Sequence, residues 1–223
     1  MLHAIIFDLD GTIIDSEPLH TEAVLRILQE RGIRLDPKEL NAYIGISSSV
    51  MWSEMKNRFS LEESIEELRA VQNRRNMEML NKTRSIMVPG VLDLLKDIKK
   101  QKLSTAIASS SSKKDLDAVV EKYSLARYFD YLVSGEEVPR GKPSPDVFLR
   151  AAELLQVEPE SCIIIEDSDN GLAAARAAGI PSIGFRNPNS GCQSLSLADR
   201  IVNNIGEVTV NLLRGLAESR APA

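Results

Sequence analysis

The chemistry of this chain starts at IIFDLDGT, residues 5–12, where a run of apolar residues delivers two carboxylates, Asp8 and Asp10, into Gly11 and Thr12. Three further segments end in reactive side chains. IASSSS closes on the hydroxyls Ser109–Ser112, CIIIEDS presents Glu166 and Asp167, and GKPSPD carries Lys142. Clustered carboxylates repel one another and are costly to bury unless a cation neutralises them. Oxygen ligands that leave coordination free for substrate and water favour Mg²⁺ over a fully caged Ca²⁺. Magnesium in turn points to phosphate: Lys142 supplies a fixed positive charge and Ser109 a hydroxyl donor, an electrostatic clamp for a transferring phosphoryl group. One carboxylate is then left to attack phosphorus, and an acid two residues away can protonate the leaving oxygen and later activate water.

These groups need a scaffold that gathers the ends of distant segments. Residues 2–7, 103–108, 130–134, 162–166 and 181–185 are short apolar runs of strand type. Helical patterns at 90–101, 113–122, 145–155 and 169–178 lie between them, and IVNNI and a helix from about 206 close the chain. The alternation predicts an α/β fold, a Rossmann-like parallel sheet with helices on both faces. In such sheets ligands bind beyond the carboxyl ends of the strands, near the point where strand order reverses. The reactive residues fall at those ends. Ser144 is expected to cap the helix at 145, Ser111 or Ser112 the helix at 113, and Gly179 to end the helix before PSIGF.

Residues 16–88 break the rhythm with helical patterns and no strand between them. They read as an α-helical cap domain inserted into a catalytic core of residues 1–15 and 89–223, with hinge-like connections near Asp15–Ser16 and Val88–Pro89–Gly90.

Charge and composition narrow the partners. With 27 basic against 32 acidic residues, a net charge of -5, the chain lacks the positive excess of a nucleic-acid or anionic-membrane binder. No run approaches a membrane span and no basic leader precedes the first strand, so the expected location is the cytoplasm. The expected partner is a small phosphorylated metabolite; the sequence leaves the oligomeric state open, a monomer included. Cys162 reads as core and Cys192 as loop, with no disulfide framework.

DLDGT, the hydroxyl of IASS, the lysine of GKPSPDVF and EDSDNG, in that order, resemble the four motifs of the haloacid dehalogenase superfamily. The insert after the first motif, together with DSEPLH, is similar to the cap-bearing subgroup that holds β-phosphoglucomutase and small sugar-phosphate phosphatases. The resemblance implies Asp8 as nucleophile and Mg²⁺ ligand, and Asp10 as general acid/base and ligand through its main-chain carbonyl. It implies Ser109 and Lys142 as phosphoryl binders and Glu166 and Asp167 as metal-side acids. Thr12, Ser110, His20 and Arg75 are the substrate-binding candidates, Arg75 for a distant anionic group.

Three functions fit these residues: a phosphatase, a sugar phosphomutase passing the phosphoryl group to another hydroxyl, and a non-enzymatic receiver-like phospho-acceptor. The last needs neither a lid nor a second acid. A mutase needs cationic cap residues for the far phosphate. The resembling mutases carry basic residues in the segment matching YIGISSS, residues 43–49, whereas here Ile44 and Ser48 stand at those places. The sequence therefore favours hydrolysis.

Overall fold

The computed structural model describes residues 1–44, 47–83 and 86–219. Two compact units emerge, one of Met1–Asp15, Met87–Pro188 and Gln193–Ala223, the other of Ser16–Ile86 and Asn189–Cys192.

The first unit is built on six parallel strands: β1 (Ala4–Phe7), β2 (Ser104–Ser109), β3 (Tyr131–Ser134), β4 (Cys162–Glu166), β5 (Ser182–Phe185) and β6 (Arg200–Val202). Their order in the sheet is β3-β2-β1-β4-β5-β6, so the direction of winding reverses between β1 and β4. Helices α4 (Val91–Lys100), α5 (Lys113–Lys122), α6 (Asp146–Leu155), α7 (Asp169–Ala177) and α8 (Val210–Ser219) connect or follow the strands. The central strands β1 and β4 are short and buried along their whole length because both faces are covered, whereas the edge strands β3 and β6 expose Tyr131, Arg200 and Ile201. Ala4 and Ile6 alternate with Ile5 and Phe7, and all four are fully buried. On one face Ile6, Ala106, Ala108 and Ile164 pack against Val147, Phe148, Ala151 and Ala152 of α6 and Ala174 and Ala175 of α7. In α4 the buried residues Val91, Leu94, Leu95 and Ile98 follow the helical period.

Helix α7 ends in the paired hydrogen bonds Gly179 N to Arg176 O and Ile180 N to Ala175 O, the turn expected of that glycine. Some boundaries differ from expectation. Pro145, not Ser144, takes the N-cap position of α6, and the Ser144 hydroxyl instead donates to the Asp146 carboxylate at 2.8 Å. The last helix starts at Val210, after a separate turn at Ile205–Glu207 capped by Asn204. Short polar caps of this kind fix helix starts more finely than an apolar period does.

The second unit contains α1 (Glu17–Gln29), a 3-10 helix at Pro37–Tyr43, α2 (Ser48–Phe59) and α3 (Ile65–Lys82). Asp36 and Ser64 begin the second and fourth of these with capping boxes completed by Glu39 and Glu67. The core gathers Val24, Ile27, Leu28, Met51, Trp52, Met55 and Leu68. Trp52 is fully buried, and its indole N–H donates to Gln72 Oε1 at 2.7 Å, which satisfies both polar groups. Among the described residues no helix is long and apolar enough to cross a membrane.

The two cysteines differ in surroundings, with a direct consequence. Cys162 is fully buried at the start of β4, and burial, with Glu160 adding to it, pushes its thiol up to about 12. Cys192 is exposed. Only the thiolate reacts with disulfide reagents. Native protein at neutral pH is therefore expected to release one equivalent of chromophore from an aromatic disulfide rapidly and the second only after denaturation. Two fast equivalents would contradict the buried placement of Cys162.

Candidate active site

Parallel register brings the first acids together. Phe7 pairs with Ile165, so Asp8 and Glu166 stand side by side one residue further on, where Asp8 N donates to Ile165 O at 3.0 Å. The carboxylates of Asp8, Glu166 and Asp167 offer oxygens within 4.8 Å of one another, and all three residues are buried. Lys142 reaches this group from the loop before α6. Its Nζ lies 2.5 Å from Asp8 Oδ1 and 2.9 Å from Glu166 Oε1, and its side chain is 6% exposed. The face of the Phe148 ring, 4.7 Å from Nζ at its centroid, covers the ammonium. Lys142 thus pairs with two of three buried carboxylates that crowd together.

The electrostatics follow from burial and crowding. Burial pushes Asp8 up to about 8; Lys142 opposes the rise, while Glu166 and Asp10 add to it. Burial would lower Lys142, but the Asp8 and Glu166 carboxylates outweigh it and hold the ammonium well above its usual range. A cation among the acids would relieve the repulsion, and three carboxylate donors with no softer ligand suit a hard divalent ion.

Two glycines leave room for this cluster. A side-chain carbon at Gly11, whose φ is +83°, would lie 2.0 Å from Asp167 Oδ2. One at Gly171, in the first turn of α7, would lie 1.7 Å from Glu166 Oε1. Glu166 is held at both oxygens, by Lys142 and by Ser168 N at 2.6 Å. Thr12 is fully buried and donates its hydroxyl to Asp167 Oδ1 at 3.0 Å, so this substrate-side candidate orients an acid.

Asp10 faces a different environment, at the end of β2. Its Oδ2 accepts from Ser111 Oγ at 2.5 Å and lies 3.4 Å from Ser109 Oγ, the limit of a hydrogen bond. Ser109 is fully buried, whereas Ser110 is exposed on the same loop. Ser112 caps α5 by accepting from Asp115 N. In the sequence Ser111 is only a possible helix cap, and its contact with Asp10 carries no local signal.

Asn187 was missed altogether. Buried just beyond β5, it donates from Nδ2 to Gly11 O at 2.8 Å and lies 3.3 Å from Asp15 Oδ1, bracing the turn that follows the acids. Its position at the same carboxyl edge of the sheet was the one available clue. Asp169 lies in the first turn of α7, and its carboxylate accepts from Ser194 N and Leu195 N.

The remaining candidates lie in the helical unit. His20 Nδ1 is 2.8 Å from Asn76 Nδ2. The Arg75 guanidinium pairs with Glu30 at 2.5 Å. Of the segment 43–49, Gly45 and Ile46 lie outside the described residues. Ile44 follows the 3-10 helix, and the Ser48 hydroxyl accepts from Arg69 Nε of α3 at 3.2 Å. The segment itself lacks charge, but an arginine from elsewhere in the sequence stands beside it.

A family model described as haloacid dehalogenase-like hydrolase matches residues 5–185. The chain belongs to this family. It is 33% identical over 219 residues to hexitol phosphatase B of Escherichia coli strain K12, covering 95% of this chain and 96% of that protein. It is 30% identical over 220 residues to beta-phosphoglucomutase of Bacillus subtilis strain 168, covering 95% and 94%. Among solved structures, the beta-phosphoglucomutase from Clostridium difficile matches with a TM-score of 0.84 at 26% identity, over 98% of both chains. Asp8, Lys142, Glu166 and Asp167 all lie within the matched residues.

Proposed function

We propose that this protein is a Mg²⁺-dependent phosphatase of small sugar phosphates that works through an aspartyl-phosphate on Asp8. The observation that carries the reading is the division of labour between two nearby acids. Asp8 lies against Lys142 beside Glu166, and Asp10 against hydroxyls. Different environments are what assign different roles to paired carboxylates.

In the first step an Asp8 oxygen attacks phosphorus as the bond to the leaving oxygen breaks, and Asp10 gives that oxygen its proton. In the second, the Asp10 carboxylate takes a proton from the water that attacks phospho-Asp8, releasing inorganic phosphate and restoring both acids. Lys142 and Ser109 hold the phosphoryl oxygens, while Thr12 keeps Asp167 and Ser168 keeps Glu166 in place. Asp8, Glu166, Asp167 and the main-chain carbonyl of Asp10 would hold Mg²⁺, which neutralises the charge of the transferring group. The helical unit we assign as the cap carried by the resembling subgroup.

The mutase reading is kept as an alternative by one observation, the position of Arg69 beside Ser48, where a cation for a second phosphate would be useful. A panel of phosphomonoesters, including hexitol and hexose phosphates, separates the two. With Mg²⁺ the expected result is release of inorganic phosphate from sugar phosphates, abolished by chelation. No turnover of any member would overturn the phosphatase. If β-glucose 1-phosphate with a trace of the bisphosphate gives glucose 6-phosphate far faster than inorganic phosphate, the mutase replaces it.

A further inference from the structure

We infer that Ser111 is a positioning residue for the acid/base Asp10, holding its carboxylate where it can serve the leaving oxygen. The inference rests on the phosphatase reading. A flexible carboxylate on a loop past a strand end has several rotamers, and general acid catalysis needs one of them. The contacts around Ser111 select it. Ser111 Oγ donates to Asp10 Oδ2 at 2.5 Å, at the short end of the range for a hydroxyl hydrogen bond.

Ser111 is itself fixed on both main-chain groups. Its N–H donates to Ser109 Oγ at 3.0 Å, and its carbonyl accepts from Ser134 Oγ at 2.7 Å. Ser134 ends β3, directly paired with Ser109 at the end of β2, and both are fully buried. Gly135 lies close beneath the loop, where a side-chain carbon would come within 3.3 Å of Ser110 Cα. The hydroxyl of Ser111 is therefore presented by two strands rather than by a free loop. Ser112 caps the following helix, and Ser110 is exposed. Of the four consecutive serines, Ser111 makes the short bond to the acid.

The bond also suits the proton balance. With Ser111 donating to Oδ2, the proton that Asp10 gives up comes from its other oxygen. The carboxylate left behind keeps the Ser111 hydrogen bond until it takes a proton from water in the second step.

The test compares Ser111→Ala, Ser111→Thr and Asp10→Asn on phenyl phosphate, whose leaving group needs a proton, and on dinitrophenyl phosphate, whose leaving group does not. Loss of a hydrogen bond to a charged group predicts that Ser111→Ala lowers kcat on phenyl phosphate by about tenfold to a hundredfold, with KM little changed. On dinitrophenyl phosphate, with formation of phospho-Asp8 followed in single turnovers, its rate should stay within about twofold. Ser111→Thr, which keeps the hydroxyl, should recover most of the loss. Equal deficits on both substrates in Ser111→Ala, or none on either while Asp10→Asn shows the leaving-group dependence, would overturn the role of Ser111 and leave the phosphatase reading standing. An Asp10→Asn deficit independent of the leaving group would remove the acid role of Asp10 and this inference with it. Matching thermal melts of Ser111→Ala and wild type confirm that the comparison is between folded proteins.

Discussion

Asp8→Asn should fold and yet lose turnover by roughly 10⁴-fold or more, the scale set by removing a covalent nucleophile. An amide cannot form the acyl-phosphate, and no other acid takes its place. Glu166 is tied to Lys142 and Ser168, and Asp167 to Thr12. Stability should move the other way in metal-free protein. Burial raises Asp8 from the ordinary 3.8 to about 8, so across that window the native chain holds a proton that the unfolded chain has released. By linkage, the Asp8 contribution to stability is present below the window and lost as pH rises through it. Asparagine has no such dependence, and Lys142 keeps Glu166 as a partner. In chelator, the melting temperature of Asp8→Asn should therefore gain on wild type between about pH 5 and about pH 8. Turnover within tenfold of wild type would sink the nucleophile assignment; a melting difference that does not grow with pH would mean that Asp8 is ionised throughout.

Gly171→Ala should damage both the fold and the site. In the body of a helix, alanine is ordinarily favoured over glycine by about 1 kcal/mol. At 171 the added carbon would stand 1.7 Å from Glu166 Oε1 and 1.9 Å from its carboxyl carbon. Glu166 is fastened at both oxygens and cannot withdraw without releasing Lys142 or Ser168. We expect a loss of about 1–3 kcal/mol of stability from overpacking. A shift of the lysine and acid by about 1 Å should cost on the order of 10² in kcat. Gly215→Ala on α8 is the control, since a side-chain carbon there meets nothing within 4 Å. It should gain about 0.5–1 kcal/mol with activity unchanged. Chemical denaturation and steady-state assays of the two variants read both effects. If Gly171→Ala behaves like Gly215→Ala, Glu166 is not confined as the structure has it.

The α/β class is legible in the residues alone, because strands buried in a parallel sheet are short and apolar and the helices between them repeat every three to four residues. The sequence placed Asp8, Ser109 and Glu166 at one edge of the sheet, since polar residues that end apolar strands can lie only at strand ends, and it placed Lys142 in the loop before a helix. It also separated a helical stretch, where the strand pattern stops. What the residues touch was decided by tertiary structure. Register sets Asp8 beside Glu166, which is 158 positions away in the numbering of a chain whose local periods say nothing of pairing partners. The partner of Thr12, the bracing of Gly11 by Asn187 and the choice of Ser111 among four serines depend on the loop path beyond the strand ends. The same holds for Arg69 at Ser48: a segment without charge acquired a cation from another helix, because side chains 21 positions apart meet through packing and not through sequence. Apolar periodicity is written locally and survives in the sequence; the direction of a polar side chain is set by everything that packs around it.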